Sequence, residues 1–173
     1  KMEKLIINKE KLTKEEIEKT KIKSRIIILN NKNELILCNY NGCYLLIGGK
    51  VEDKETVKEA ALREAQEEIG VILNENDLDD FIIIEHYQKN YPTRDNKIKN
   101  NLLITYYFIS KKKVEIENDK ITLSESEKKQ NFKLIQASPK EIIQLLESNN
   151  TQNPRAVYYK EELQEVLQRI KTK

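Results

Sequence analysis

The chain has 173 residues, 38% of them hydrophobic and 35% charged, which is enough for one domain with a real core. Its 31 Lys and Arg nearly balance 29 Asp and Glu, leaving a net charge of +2, so no basic tract calls for a nucleic-acid polymer. No apolar run reaches the length of a membrane helix and the amino end has no signal-peptide core, so a cytoplasmic protein with no membrane partner is expected.

In chain order, Lys1 ahead of Met2 reads as an addition, and residues 1–20 read as an amino-terminal extension. That extension holds a short strand at Lys4–Ile7 and a capping box formed by Thr13 and Glu16. Residues 21–173 read as a single domain. The run from Lys23 to Leu29 predicts a buried strand, Asn30–Asn33 a turn, and Glu34–Cys38 a returning strand. Cys38 and Cys43 flank Asn39–Gly42 and read as reduced, partly buried thiols that could approach each other across a hairpin. Cys43–Ile47 predicts a third strand running into a glycine loop, Gly48-Gly49.

A helix follows, capped by Thr56 and ended by Gly70. Val57, Ala61, Ala65 and Ile69 recur every fourth position and predict its inward face. Glu64, Glu67 and Glu68 stand at i, i+3 and i+4 on another face. Beyond it, Asn74–Asp80 reads as an acidic loop, with a strand from Phe81 through Tyr87. Asn90–Asn101 reads as a long polar loop beside the site. Leu102–Ser110 and Lys113–Glu117 predict further strands, Asn118–Asn131 a polar segment, and Phe132–Gln136 a last short strand. Ser138-Pro139 opens a helix, Asn149–Pro154 breaks it, and a final helix spans about 156–170.

Three carboxylates on one helical stripe repel each other unless a cation sits among them, and a hard divalent ion is the natural counter-charge. Arg63, beside the stripe, is placed to orient a carboxylate, and the double glycine lets the backbone come close. A solvated helix face with ordinary i,i+4 pairing is the plainer alternative for the three residues taken alone.

From Gly49 the spacing is Gly, five residues, Glu55, seven residues, Arg63-Glu64, an apolar residue, one residue, Glu67-Glu68, one residue, Gly70 and an apolar residue. This pattern, from Gly49 to Val71, resembles the Nudix box at every fixed position, and the flanking strands extend the likeness over about 21–136. Two positions depart from it. The family often has Leu-Pro-Gly-Gly where this chain has Leu46-Ile47-Gly48-Gly49, and Gly where it has Lys54. The resemblance implies an α/β fold, a Nudix-type α/β/α sandwich with a mixed central sheet, to which carboxy-terminal helices are added. It also implies a Mg2+- or Mn2+-dependent hydrolase acting on a nucleoside diphosphate linked to a variable group X. By resemblance, Glu64, Glu67, Glu68 and the Gly48 carbonyl would hold the metal, with Arg63 and Glu55 locking the carboxylates.

Family members differ over the general base, which leaves Glu64, Glu125 and Glu127 as candidates here. Lys50, Arg25, Arg94 and Lys97 are candidate phosphate contacts, and Tyr87, with Tyr40, Tyr44, Tyr91 and Tyr107, candidate stacking surfaces for the organic end. A tyrosine in the region of Tyr87 resembles dinucleoside polyphosphate hydrolases. The partner is then a small nucleoside diphosphate derivative, with a homodimer as an open alternative to a monomer. A nucleotide-binding sensor on the same fold is the rival reading, although such modules usually lose box carboxylates. Isopentenyl diphosphate isomerase, a third use of the scaffold, needs a reactive cysteine in a motif that Cys38 and Cys43 do not supply.

Overall fold

The computed structural model describes residues 2–171, so Lys1 lies outside the described residues. Seven strands form one mixed sheet in the order β1-β5-β6-β2-β4-β3-β7. They are β1 (Glu3–Ile7), β2 (Lys19–Ile27), β3 (Leu35–Tyr40), β4 (Cys43–Lys50), β5 (Leu78–Pro92), β6 (Ile98–Ser110) and β7 (Lys133–Ala137). The helices are α1 (Val57–Ile69), α2 (Glu125–Lys129), α3 (Pro139–Ser148) and α4 (Ala156–Lys171). β1 runs parallel to β5 and β2 parallel to β6, and the other pairs are antiparallel.

The run Ile26-Ile27-Ile28 shows why the sheet is covered on both faces. Ile26 and Ile28 pack with Ala61, Ala65 and Ile69 of α1, while Ile27 packs with Ile142 and Leu146 of α3 and Leu163, Val166 and Leu167 of α4. A strand buried on both sides reads as a continuous apolar run because alternate side chains meet two different helical layers. The expected α/β/α sandwich is therefore present. Each of these isoleucines is 1% exposed or less, worth about 2–3 kcal/mol of transfer free energy apiece.

The α1 boundaries follow their chemistry. Thr56 Oγ1 accepts the Glu59 N–H at 3.1 Å, and Gly70 adopts φ 73° while its N–H closes on Gln66 O at 3.0 Å. Ala61 and Ala65 are small enough to bring the helix axis close to the sheet, which is what carries its carboxylates to the edge of β4.

Several expected elements differ. Gly48-Gly49 is part of β4, paired with β2 through Arg25↔Gly48 and Ser24↔Gly49, and the turn falls at 51–55 instead. Most of 90–101 is strand: β5 runs to Pro92, β6 starts at Ile98, and only Thr93–Lys97 turns, closed by Thr93 N–H to Lys97 O at 2.8 Å. Ladder hydrogen bonds hold that polar stretch, and polar residues are acceptable there because the hairpin tip is solvated. Residues 113–117 form no strand. Val114 and Ile116 pack near Ile69 and Val71, so their alternation reports burial without a ladder. The hairpin register sets Cys43 opposite Tyr40 and Cys38 opposite Leu45, and both cysteines are buried and free. Among the described residues no helix is long and apolar enough to cross a membrane.

Candidate metal centre

β4 and α1 meet at the two glycines. Gly48 has φ 152°, and a methyl there would stand 2.1 Å from Ser24 O. Pairing with β3 ends at Leu37↔Leu46, and the Gly48 N–H donates instead to Glu68 Oε1 at 2.9 Å. At Gly49 a methyl would sit 2.4 Å from Glu64 Oε1, so the bare backbone is the surface on which the Glu64 carboxylate lies.

Oxygens of Glu64, Glu68 and Glu127 lie within 4.8 Å of one another. Glu64 and Glu68 are only 8% and 4% exposed. At an effective dielectric constant near 20, two carboxylates this close repel by about 3 kcal/mol, a load that only protons or a cation can relieve. Burial, the Glu64 charge and a hydrogen bond with Glu127 push Glu68 well above the carboxylate range, with the Gly48 N–H opposing. Burial also raises Glu64, against the pull of Arg63. An all-oxygen, strongly anionic set with buried members fits a hard divalent cation such as Mg2+ or Mn2+.

Arg63 organises the flank. Its Nε and Nη2 grip both oxygens of Glu55 at 2.7 and 3.0 Å, and its Nη1 reaches Glu64 at 3.1 Å and Glu67 at 3.3 Å. Nη2 also donates to Lys50 O at 3.1 Å, tying α1 to the end of β4. The guanidinium holds Glu55 below its ordinary value, first through the direct hydrogen bond.

The candidate base residues separate. Ser124 caps α2 with a capping box: its N–H donates to Glu127 Oε1 at 2.9 Å and its Oγ accepts the Glu127 N–H at 3.2 Å. Thr122 N–H to Glu67 O at 2.9 Å ties this segment to α1, which delivers Glu127 to the cluster. Glu125 points away, 81% exposed and paired with Lys128. Glu67 leans on Arg63 and stands outside the three-carboxylate set. The Ser124-x-x-Glu127 spacing is the one local signal that singles out Glu127 as oriented.

Four of the candidate substrate contacts scatter. Arg25 is buried with Nη1 on Leu46 O at 2.8 Å, a structural bond that takes it out of reach of solvent. Tyr87 is buried as well. Arg94 is exposed in the β5–β6 turn, and Lys50 is exposed at the end of β4 beside Arg63. A cavity of about 670 Å³ lined by Lys58, Asp79, Asp80, Phe81 and Ile170 contains none of the clustered carboxylates.

Comparison with known proteins gives the fold its context. The chain resembles the MutT protein from Methanosarcina mazei Go1 with a TM-score of 0.55 and 20% identity, over 91% of this chain and 99% of that one. It also resembles a MutT protein from Bacillus halodurans with a TM-score of 0.51 and 20% identity, over 72% of each chain. No curated protein matches the sequence. The family model of the NUDIX domain matches residues 19–159, which span the glycine strand, the carboxylate helix, α2 and the first turn of α4, and the chain belongs to the Nudix family.

Proposed function

We propose that this Nudix hydrolase requires a divalent cation, Mg2+ or Mn2+, and cleaves a nucleoside diphosphate linked to a group X by attack of an activated water on phosphorus. The observation that supports it is the mutually repelling set Glu64, Glu68 and Glu127, two of them buried, within 4.8 Å. Glu64 and Glu68 are the principal candidates to hold the cation, with Glu67 and the Gly48 carbonyl assigned by resemblance. A bound divalent ion would neutralise the diphosphate and make water a usable nucleophile near neutral pH.

The chain's own groups do the rest. Arg63 fixes Glu64 and Glu67, and Glu55 fixes Arg63, so the carboxylates are held before substrate arrives. Glu127 is our choice for the general base over Glu125, since its capping box aims it into the cluster while Glu125 faces solvent. An intact carboxylate set favours hydrolysis over a sensor role. We take the substrate to be a small molecule in the cytoplasm, with no polymer or membrane partner.

The test is hydrolysis of a panel of nucleoside triphosphates, nucleotide sugars, ADP-ribose and dinucleoside polyphosphates with Mg2+, using wild type and Glu127→Gln. Turnover by wild type with a loss of about 100-fold in the variant is expected for a general base. Equal turnover in the two would overturn the assignment.

A further inference from the structure

On the α4 side of the sheet, cross-strand rows bring polar groups together. Lys21 stands beside Leu103, whose partner on the far side is His86, and Lys23 beside Thr105 and, on its other flank, Lys50. The row before them holds Asn101 and Gln88. Over these rows lies the first turn of α4. Tyr159 Oη meets Tyr91 Oη at 3.0 Å and Lys23 Nζ at 3.5 Å. The Lys21 ammonium lies over the Tyr91 ring at 5.6 Å, and the Arg155 guanidinium lies over the same ring at 5.3 Å.

Three cations therefore gather at the Tyr91 and Tyr159 rings. Among the described residues none of the three makes an ion pair within 4.0 Å. The same face holds buried polar atoms without hydrogen bonds: Gln88 Nε2, Asn101 Oδ1 and Thr105 Oγ1. Clustered cations repel one another, and an anion among them would relieve that repulsion. Burial, and then the charges of Lys23, Lys19 and Arg155, push Lys21 down to about 8. Burial works to raise the Tyr159 phenol, yet Lys23, Tyr91 and Arg25 hold it below its ordinary value.

We propose that Lys21, Lys23 and Arg155 form a docking site for a second phosphoryl group of the substrate, separate from the diphosphate that is cleaved. The assignment rests on the hydrolase reading for the position of the scissile diphosphate. The two lie along the same pair of strands, β2 and β4. Lys23 pairs with Lys50 and Arg25 with Gly48, and past Leu46 the edge of β4 turns its Gly48 N–H to Glu68. A substrate can thus pass around that glycine edge, with its diphosphate at the carboxylates on the α1 side and its distal phosphate among the cations on the α4 side.

Two measurements test this. Calorimetric titration with inorganic pyrophosphate in chelator, where turnover cannot occur, reads the cation site alone. Wild type is expected to bind, and Lys21→Met to bind at least about tenfold more weakly, with Arg155→Gln as a second variant should the first misfold. No binding by wild type, or equal binding by correctly folded variants, overturns the site. Hydrolysis of NADPH against NADH with Mg2+, two substrates that differ by one phosphate, then reads it in turnover. A preference for the phosphorylated member that Lys21→Met abolishes supports the proposal. Cleavage of both at equal rates removes the proposal and leaves the hydrolase reading intact. Pyrophosphate binding without turnover of any diphosphate does the reverse.

Discussion

Replacing Gly49 with alanine probes how closely the site depends on bare backbone. The added Cβ would stand 2.4 Å from Glu64 Oε1 and 2.7 Å from its Cδ, against an ordinary contact of 3.4 Å or more, so the carboxylate must retreat by about 1 Å. Its place is set by Arg63 Nη1 at 3.1 Å, a bond that the retreat stretches or breaks. Gly49 has no positive φ, so the backbone itself accepts alanine and the damage is confined to the carboxylate. A displacement of about 1 Å in a positioned group costs about 100-fold in turnover. The assay is steady-state hydrolysis with Mg2+ on the substrate that the panel identifies, with Mn2+ affinity by calorimetry and the melting temperature alongside. We expect kcat to fall by about 100-fold and Mn2+ to bind more weakly, with a melting temperature within a few degrees of wild type. Gly70→Ala is the contrast: with φ 73° and Glu117 O 2.3 Å from the new Cβ, it should lose stability without a specific effect at the site. Wild-type turnover and Mn2+ affinity in Gly49→Ala would refute the placement of Glu64.

Three further predictions concern stability and reactivity. Lys54 holds φ 64°, a left-handed conformation in an exposed turn, so Lys54→Gly should raise stability by about 0.5 kcal/mol in urea melts, and a loss of 1 kcal/mol or more would contradict the strain. Lys21, whose pKa falls from its ordinary 10.5 to about 8 in the fold, gives the unfolded chain more protons between those values, so its penalty is full below pH 8 and fades as pH rises towards 10. Lys21→Met should therefore stabilise the protein near pH 7 by about 1 kcal/mol, discounted for its half exposure, with the gain shrinking by pH 10. A gain independent of pH would assign the effect to packing alone. Burial raises the Cys43 thiol to about 11, so at pH 8 it carries about a hundredfold less thiolate than an unperturbed thiol near 9, and alkylation of the folded protein should be correspondingly slow. Labelling at the rate of the denatured chain would show Cys43 to be accessible.

The helix that carries the carboxylates was legible because every part of its signal is local. Thr56, Gly70 and the fourfold spacing of Val57, Ala61, Ala65 and Ile69 each act within a turn or two of chain. The departure at Lys54, where the family often has glycine, also acquires a physical meaning from its positive φ. Strand pairing is set across the chain and was harder to read. The glycines of β4 looked like a loop because glycine is weak in strands, yet pairing with Ser24 and Arg25 holds them. The 90–101 segment looked like a loop because its side chains are polar, and the β5–β6 ladder carries it all the same. Val114 and Ile116 alternate like a strand while serving only to cover the end of α1. The site divides along the same line. The pairing of Arg63 with Glu55 lies within one turn and its helix, whereas the approach of Glu127 to Glu64 and Glu68 depends on how residues 117–129 fold back onto α1. Arg25 shows the limit of residue type as a guide, since a cation in a strand beside the glycines is spent on Leu46 O.

The central claim is that the buried carboxylates hold a divalent cation on which cleavage of a diphosphate depends. It is tested most directly by measuring hydrolysis of the substrate panel by wild type and Glu68→Gln, each with Mg2+ and with chelator. The account predicts one substrate class cleaved by wild type with Mg2+, no cleavage with chelator, and a loss of at least about 100-fold in Glu68→Gln. Turnover that survives the chelator, or that persists near wild-type rates in Glu68→Gln, would contradict it.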